Sequence, residues 1–317
     1  MNPLHWLTQI LEVLAALAAA PLFVGWINQC RAWLQNKSAP SVLQPYRAIR
    51  KLFLKDAVLA THASPLFRFA PYVVFAAMAC SAAVIPSLDT RLPFSDAADA
   101  IALVGLFATA RVFMSLAAMD VGTAFGTLGA RREMLVGFLA EPALLMVIFV
   151  ASLISASTAL PAISEDLATR TLALFPSLAF TGVAFVLVLL AENARIPVDN
   201  PATHLELTMI HEAMLLEYSA RHLALMEWAA ALKLFNYACI GFALFLPWGA
   251  ASGDAPTPLI LLAAIPILAV KLVIAGAVLA LIETVSAKLR VFRVPEFLAT
   301  AFLLAVLGLL VHLLLGT

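Results

Sequence analysis

Residues 258–283 read PLILLAAIPILAVKLVIAGAVLALIE, twenty-six positions in which the only charged side chains are Lys271 and the closing Glu283. A helix needs about 20 apolar residues to cross roughly 30 Å of hydrocarbon, and this stretch is long enough to do so with a little to spare. Similar runs recur in both directions along the chain. They predict spans at about 6–29, 69–88, 98–118, 134–156, 172–192, 230–249, 258–283 and 297–315. Over 317 residues, 63% are hydrophobic and only 12% charged, against the roughly 25% charged of an ordinary soluble domain. There is too little polar residue to coat a water-soluble globule. The expectation is an all-α integral membrane protein: one polytopic domain over 1–317, with about eight transmembrane helices, an amphipathic helix at the cytoplasmic interface and a long structured inner loop.

The first run has only His5 before it and no small-residue cleavage pattern after it, so it reads as a retained helix and not a secretory signal. Charge then orients the bundle. Segments 30–68, 119–133, 193–233 and 284–296 hold 15 of the 19 basic residues, while the opposite connections hold only Arg91 and Arg170. By the positive-inside rule those four segments face the cytoplasm. Eight spans then put both termini on the periplasmic side of a bacterial inner membrane. The outer connections, near 87–100, 161–170 and 249–258, read as simple turns.

The inner segments carry more pattern. Within 31–65, Leu43, Tyr46, Ile49, Leu52 and Phe53 fall at helical spacing among Arg47, Arg50, Lys51 and Lys55, as in an interfacial helix that rests on headgroups or docks a soluble partner. Arg131 and Arg132 extend that basic docking surface. In 193–229, Asn200-Pro201 offers a helix start, and the sequence after it, from Ala202 through Trp228, reads as one polar-studded helix.

Charged groups inside apolar helices cost about 2.5–3.5 kcal/mol each at mid-membrane when unpaired. Arg111, Glu141, Glu192, Lys271 and Glu283 must therefore be paired, hydrated or sheltered. One reading is a polar path that takes up protons; the other is that Glu192 and Glu283 end their helices at the interface and Arg111 snorkels. His204, Glu206, His211 and Glu212 lack the second histidine of a zinc-protease HExxH, and Cys30, Cys80 and Cys239 have no paired spacing, so no metal site is expected on this chain. Gly122, Gly126 and Gly129 read as close backbone packing, not a phosphate loop. Neither nucleotide nor nucleic acid is an expected partner.

The stretch LAENARIPVDNPATHLELTMIHEAMLLEYSARHLALMEWAAALKLF (190–235) resembles the large inner loop of a family of respiratory complex I membrane proteins, in its hydrogenase-associated branch of the formate hydrogenlyase and hydrogenase-4 type. SAPSVLQPYRAIRKLFLKD after the first span and DVGTAFGTLGARREMLVGFLAEP from Asp120 to Pro142 support it in the same order. The resemblance implies a non-catalytic subunit of an oxidoreductase complex. Such a subunit anchors hydrogenase-like large and small subunits and an iron–sulfur subunit, abuts antiporter-like membrane subunits, and links electron flow to proton movement. The [NiFe] centre and iron–sulfur clusters would sit in those partners, with none on this chain. Carried over by motif, Glu141, Glu192, Arg195, Asp199, Glu206, Glu212 and Glu217 become the candidates for redox-linked proton transfer, with Glu283 and Lys271 added from their place in apolar helices and Arg111 and His211 as supporting groups. Two departures stand out: Ala39-Pro40 replaces the family's usual Gly-Pro, and the loop lacks the Glu-rich pattern of complex I proper, where the equivalent protein forms much of the quinone chamber. Quinone binding, an autonomous ion transporter and a passive anchor are the competing readings.

Overall fold

The computed structural model describes residues 3–60, 62–91, 93–94, 99–170, 175–199, 209–251 and 258–315. Eleven α-helices occur among them: α1 Pro3–Leu34, α2 Gln44–Phe53, α3 Pro65–Val84, α4 Ala100–Asp120, α5 Ala124–Ser155, α6 Leu160–Thr169, α7 Pro176–Glu192, α8 His211–Leu215, α9 Ala220–Phe245, α10 Pro258–Val285 and α11 Val294–Leu315. A 3-10 turn, Val291–Arg293, leads into the last. Seven helices are long and apolar enough to cross a membrane, and α7, at 17 residues, is the shorter apolar eighth. This is the multi-pass helical fold expected from the apolar runs.

Local chemistry sets the ends. Proline occupies the first turn of α2, α3, α6 and α7, where a missing N–H costs nothing. The Ser64 hydroxyl accepts the Leu66 N–H at 3.1 Å to cap α3, and Asp99 caps α4 through Ile101 N–H at 3.3 Å. α5 runs 32 residues, about 48 Å at 1.5 Å per residue, so it outreaches the hydrocarbon and carries residues 124–133 as helix where a loop was expected.

Helix packing follows a simple plan: α3 lies between α4 and α9, α5 joins α4 to α7, α11 covers α7 and α5, and α10 leans on α1. The core is built from small and branched residues such as Ala117, Ala140, Ala143, Ile148, Ala184 and Val188, all fully buried. Small side chains are what allow helices to approach closely when lipid supplies no hydrophobic drive between them.

At one end of the bundle the long segments fold onto each other. Ser219 exchanges hydrogen bonds with Val58 backbone at 3.0 and 2.7 Å, Asp120 accepts Ser64 N–H at 2.8 Å, and Tyr218 stacks on Phe67 with ring centroids 4.0 Å apart. The Tyr218 hydroxyl donates to Phe67 O at 3.1 Å, and burial, with Asp120 nearby, raises its pKa above the usual phenol range. Tyr218→Phe is expected to lower stability by about 1 kcal/mol, since it orphans a single carbonyl acceptor; thermal unfolding in detergent reads this directly.

Two expectations need correction. The connection 161–170 is not a simple turn: Leu160, Ile163 and Leu167 recur at helical spacing and are fully buried, so α6 tucks an apolar stripe under the bundle. Nor does one helix run through to Trp228. It is broken at 216–219 between α8 and α9, where Ala220 adopts a positive φ of 49° and Tyr218 turns inward onto Phe67. The expected start at Asn200-Pro201 lies outside the described residues.

Candidate functional site

Arg111 sits at the centre. It is carried on the middle of α4 and is 5% exposed, so it does not snorkel to an interface. Each guanidinium nitrogen faces a different carboxylate: Nε lies 3.5 Å from Glu133, Nη1 meets Glu141 and Nη2 meets Glu192. A planar fork suits the two hydrogen bonds from Nη1 and Nη2, with Glu133 held beside Nε as an ion pair without a hydrogen bond, an arrangement a lysine could not reproduce. Lys233 of α9 completes the group, its ammonium 3.0 Å from Glu192. Tyr237, one helical turn further along α9, is fully buried beside Glu192 and stacks on Phe107 at 4.9 Å.

Spacing on α5 explains the geometry. Glu133, Gly137 and Glu141 stand four residues apart and share one face. A Cβ on Gly137 would overlap the Arg111 guanidinium, so the arginine lies flat against α5 only because residue 137 has no side chain. Two cations thus face three carboxylates. Fully ionised, the cluster has an excess of one negative charge, which a single proton neutralises. Glu141, with 31% of its side chain exposed against 1% for Glu192, is the member that opens to the outside of the bundle.

A cavity of about 310 Å³ adjoins the cluster, walled by α1, α2, the 193–199 segment, α8 and α9. Glu192 and Lys233 belong to both. Arg31, Arg195, Asp199, His211, Glu212 and Glu227 also line it. Glu283, 1% exposed at the end of α10, forms its own group there, accepting from Arg195 at 3.1 Å and pairing with Arg31 at 3.5 Å. Asp199 ties the segment down: its Oδ2 accepts the N–H groups of Ile210 and His211 at 3.1 and 3.2 Å, and Oδ1 meets Lys288 at 3.1 Å. Asp199→Asn should weaken these charge-assisted bonds by about 1 kcal/mol and speed proteolysis of the 199–211 segment, while leaving the Arg111 cluster in place.

The family model described as NADH dehydrogenase matches residues 8–314. The chain belongs to the NADH dehydrogenase family. Its relatives include formate hydrogenlyase subunit 4 of Escherichia coli (strain K12), 32% identical over 293 residues that cover 92% of this chain and 94% of that one. Hydrogenase-4 component C of the same organism is 36% identical over 241 residues that cover 76% and 75%. The fold is similar to that of a chain in the structure of the membrane-bound sulfane sulfur reductase, an archaeal respiratory membrane complex, with a TM-score of 0.81 at 19% identity over 96% and 98% of the two chains. The resemblance drawn from the 190–235 stretch therefore holds for this member of the NADH dehydrogenase family, and its two curated relatives are named as a subunit of formate hydrogenlyase and a component of hydrogenase-4.

The expected site residues divide. Arg111, Glu141 and Glu192 come together directly; Arg195, Asp199, His211, Glu212 and Glu283 gather around the cavity; Glu206 lies outside the described residues. Glu217 is exposed at the helix break, and Lys271 stands apart from the cluster, donating to Leu246 O at 2.6 Å. Of the basic residues, Arg47, Arg50, Lys51 and Arg131 are exposed, whereas Arg132 is turned to Met209 O at 3.0 Å. Sequence reasoning does not find Glu133, Lys233 or Glu12. Glu12 has a readable signal, a lone acid inside the first apolar run; Glu133 and Lys233 stand at expected loop edges, where a charge is ordinary.

Proposed function

We propose that this chain is the membrane-anchoring, ion-coupling subunit of an energy-converting complex of the membrane-bound [NiFe]-hydrogenase type, linking electron flow in soluble partners to proton translocation. The observation that carries the reading is the Arg111 cluster, which is held inside the bundle, short of one positive charge, and joined through Glu192 and Lys233 to a cavity at the loop end. A proton entering from the cavity reaches Glu192; Arg111 spans from there to Glu141, which opens toward a membrane neighbour. An acid partly exposed at membrane depth calls for a polar group on that neighbour, as an antiporter-like subunit would supply. Moving one proton against 100 mV needs about 2.3 kcal/mol, within the reach of a modest redox gap.

The relatives named above support the assignment to a hydrogenase-type assembly. The distribution of basic residues supports a bacterial inner-membrane orientation with the cavity end cytoplasmic and both termini periplasmic. Exposed Arg47, Arg50, Lys51 and Arg131 at that end suit docking of hydrogenase-like large and small subunits and an iron–sulfur subunit, which would hold the [NiFe] and iron–sulfur centres. A second reading, a quinone chamber, has the cavity itself in its favour, since about 310 Å³ lies at the lower end of ligand-site volumes.

Purifying the tagged chain from its host in mild detergent, with mass spectrometry and metal analysis, tests the proposal. Co-purifying nickel, iron–sulfur and antiporter-like subunits is the expected result. A lone chain that moves ions in liposomes would replace it with a transporter, and quinone-site inhibitor sensitivity of the complex would favour the second reading.

A further inference from the structure

The end of the bundle opposite the cavity holds ionisable groups that take no part in the Arg111 cluster. Glu12, on α1, is 1% exposed. Its Oε1 accepts the backbone N–H groups of Ser87 and Leu88, at 2.6 and 2.8 Å, together with the Ser87 hydroxyl, whereas Oε2 is buried without a hydrogen-bond partner. The three donors on Oε1 favour the charged form of the group, and burial opposes it. No cation among the described residues forms an ion pair with it, and an ionised carboxylate so placed is strongly disfavoured. Asp89, 2% exposed with its own unpartnered Oδ2, puts a second acid nearby.

A cavity of about 20 Å³, room for one water, lies next to this group and is lined by Ser87, Ser164, Cys239 and Lys271. Lys271 donates one N–H bond to Leu246 O at the end of α9 and sits 5.7 Å over the Phe242 ring. Its other N–H groups are available to the cavity. The arrangement thus places an acid, a hydroxyl, a water-sized void and an amine in sequence.

We propose that Glu12 and Lys271 form a second proton-holding site, joined through the Ser87 hydroxyl and a water in this cavity. In a transfer an N–H bond of the Lys271 ammonium breaks and an O–H bond forms on Glu12, while the water and Ser87 each exchange one O–H for another, following the direction in which Ser87 donates to Oε1. The pair passes from oppositely charged to neutral with no atom gained or lost. Asp89 and Cys239 are the other titratable groups facing the pair, with Arg91 and Glu165, 3.1 Å apart, in the neighbouring segments. The use of the site in translocation rests on the coupling role proposed above; its protonation does not.

Infrared difference spectroscopy of the purified complex in H₂O and D₂O tests the site. A deuterium-sensitive carboxylic C=O band is expected that disappears in Glu12→Gln and shifts in Lys271→Met. Ser87→Ala keeps the acid and is expected to slow exchange of that band by about a hundredfold. A band that survives Glu12→Gln, or is absent from the start, would make Glu12 an ionised cap of the 86–88 segment and overturn the proposal, as would wild-type exchange in Ser87→Ala. Because this readout is independent of pumping, it stands or falls apart from the coupling role, which would fall if Glu192→Gln translocated protons normally.

Discussion

Arg111→Leu is expected to cost roughly 3–5 kcal/mol, the range for removing one partner of a buried ion pair, and to deplete the assembled complex from membranes. The size follows from what is left behind: Glu133, Glu141 and Glu192 would keep their places around an apolar side chain, with Lys233 in contact with only one of them. Part of the loss would be relieved by protonation, so the defect should be milder at low pH. Arg111→Lys should recover part of the stability but not the three-way contact, since one ammonium cannot present three separately directed nitrogens. Thermal unfolding and quantitative blotting of membranes measure both. Wild-type stability in Arg111→Leu would mean that the carboxylates are neutral and the cluster is not ionic.

Gly137→Ala is the second large effect, from a single methyl group. The added Cβ falls where the Arg111 Nη1, Cδ and Cζ atoms lie. An arginine on a free surface would swing aside, but this one is held by three carboxylates, so the helix faces must part or the guanidinium must leave Glu141. Overpacking of this kind costs about 1–3 kcal/mol. Translocation should suffer more than stability, because the displaced group is the link between Glu192 and Glu141. Alanine has the higher helix propensity, by about 0.8–1.0 kcal/mol, so a gain in stability would show that the contact is loose.

The helices were legible because hydrocarbon thickness is a crude ruler: runs of about 20 apolar residues need no tertiary information. The acids were legible for the same reason, as Glu141 and Glu192 stand out against their surroundings. Their grouping was not. Arg111 is 81 positions from Glu192, and nothing along the chain says that it pairs with Glu192 and not with Glu283, which belongs instead to Arg195 and Arg31. Gly137 is informative only once Arg111 is seen against it. The break at 216–219 leaves no local mark, because Glu217-Tyr218-Ser219 carries neither glycine nor proline; the Tyr218–Phe67 stack, a contact across 151 positions, accompanies the turn there. Lys271 reads as a member of the acidic path since its helix is apolar throughout, yet the fold sets it beside the end of α9.

Proton uptake per electron transferred, measured in vesicles bearing the purified complex with Glu192→Gln, tests the coupling role most directly. Glutamine keeps the shape and an acceptor for Arg111 but leaves two cations facing two carboxylates, with no excess charge to bind a proton. Assembly and electron transfer are expected to persist while translocation falls by about a hundredfold. Translocation at the wild-type ratio in that variant would contradict a proton path through the Arg111 cluster.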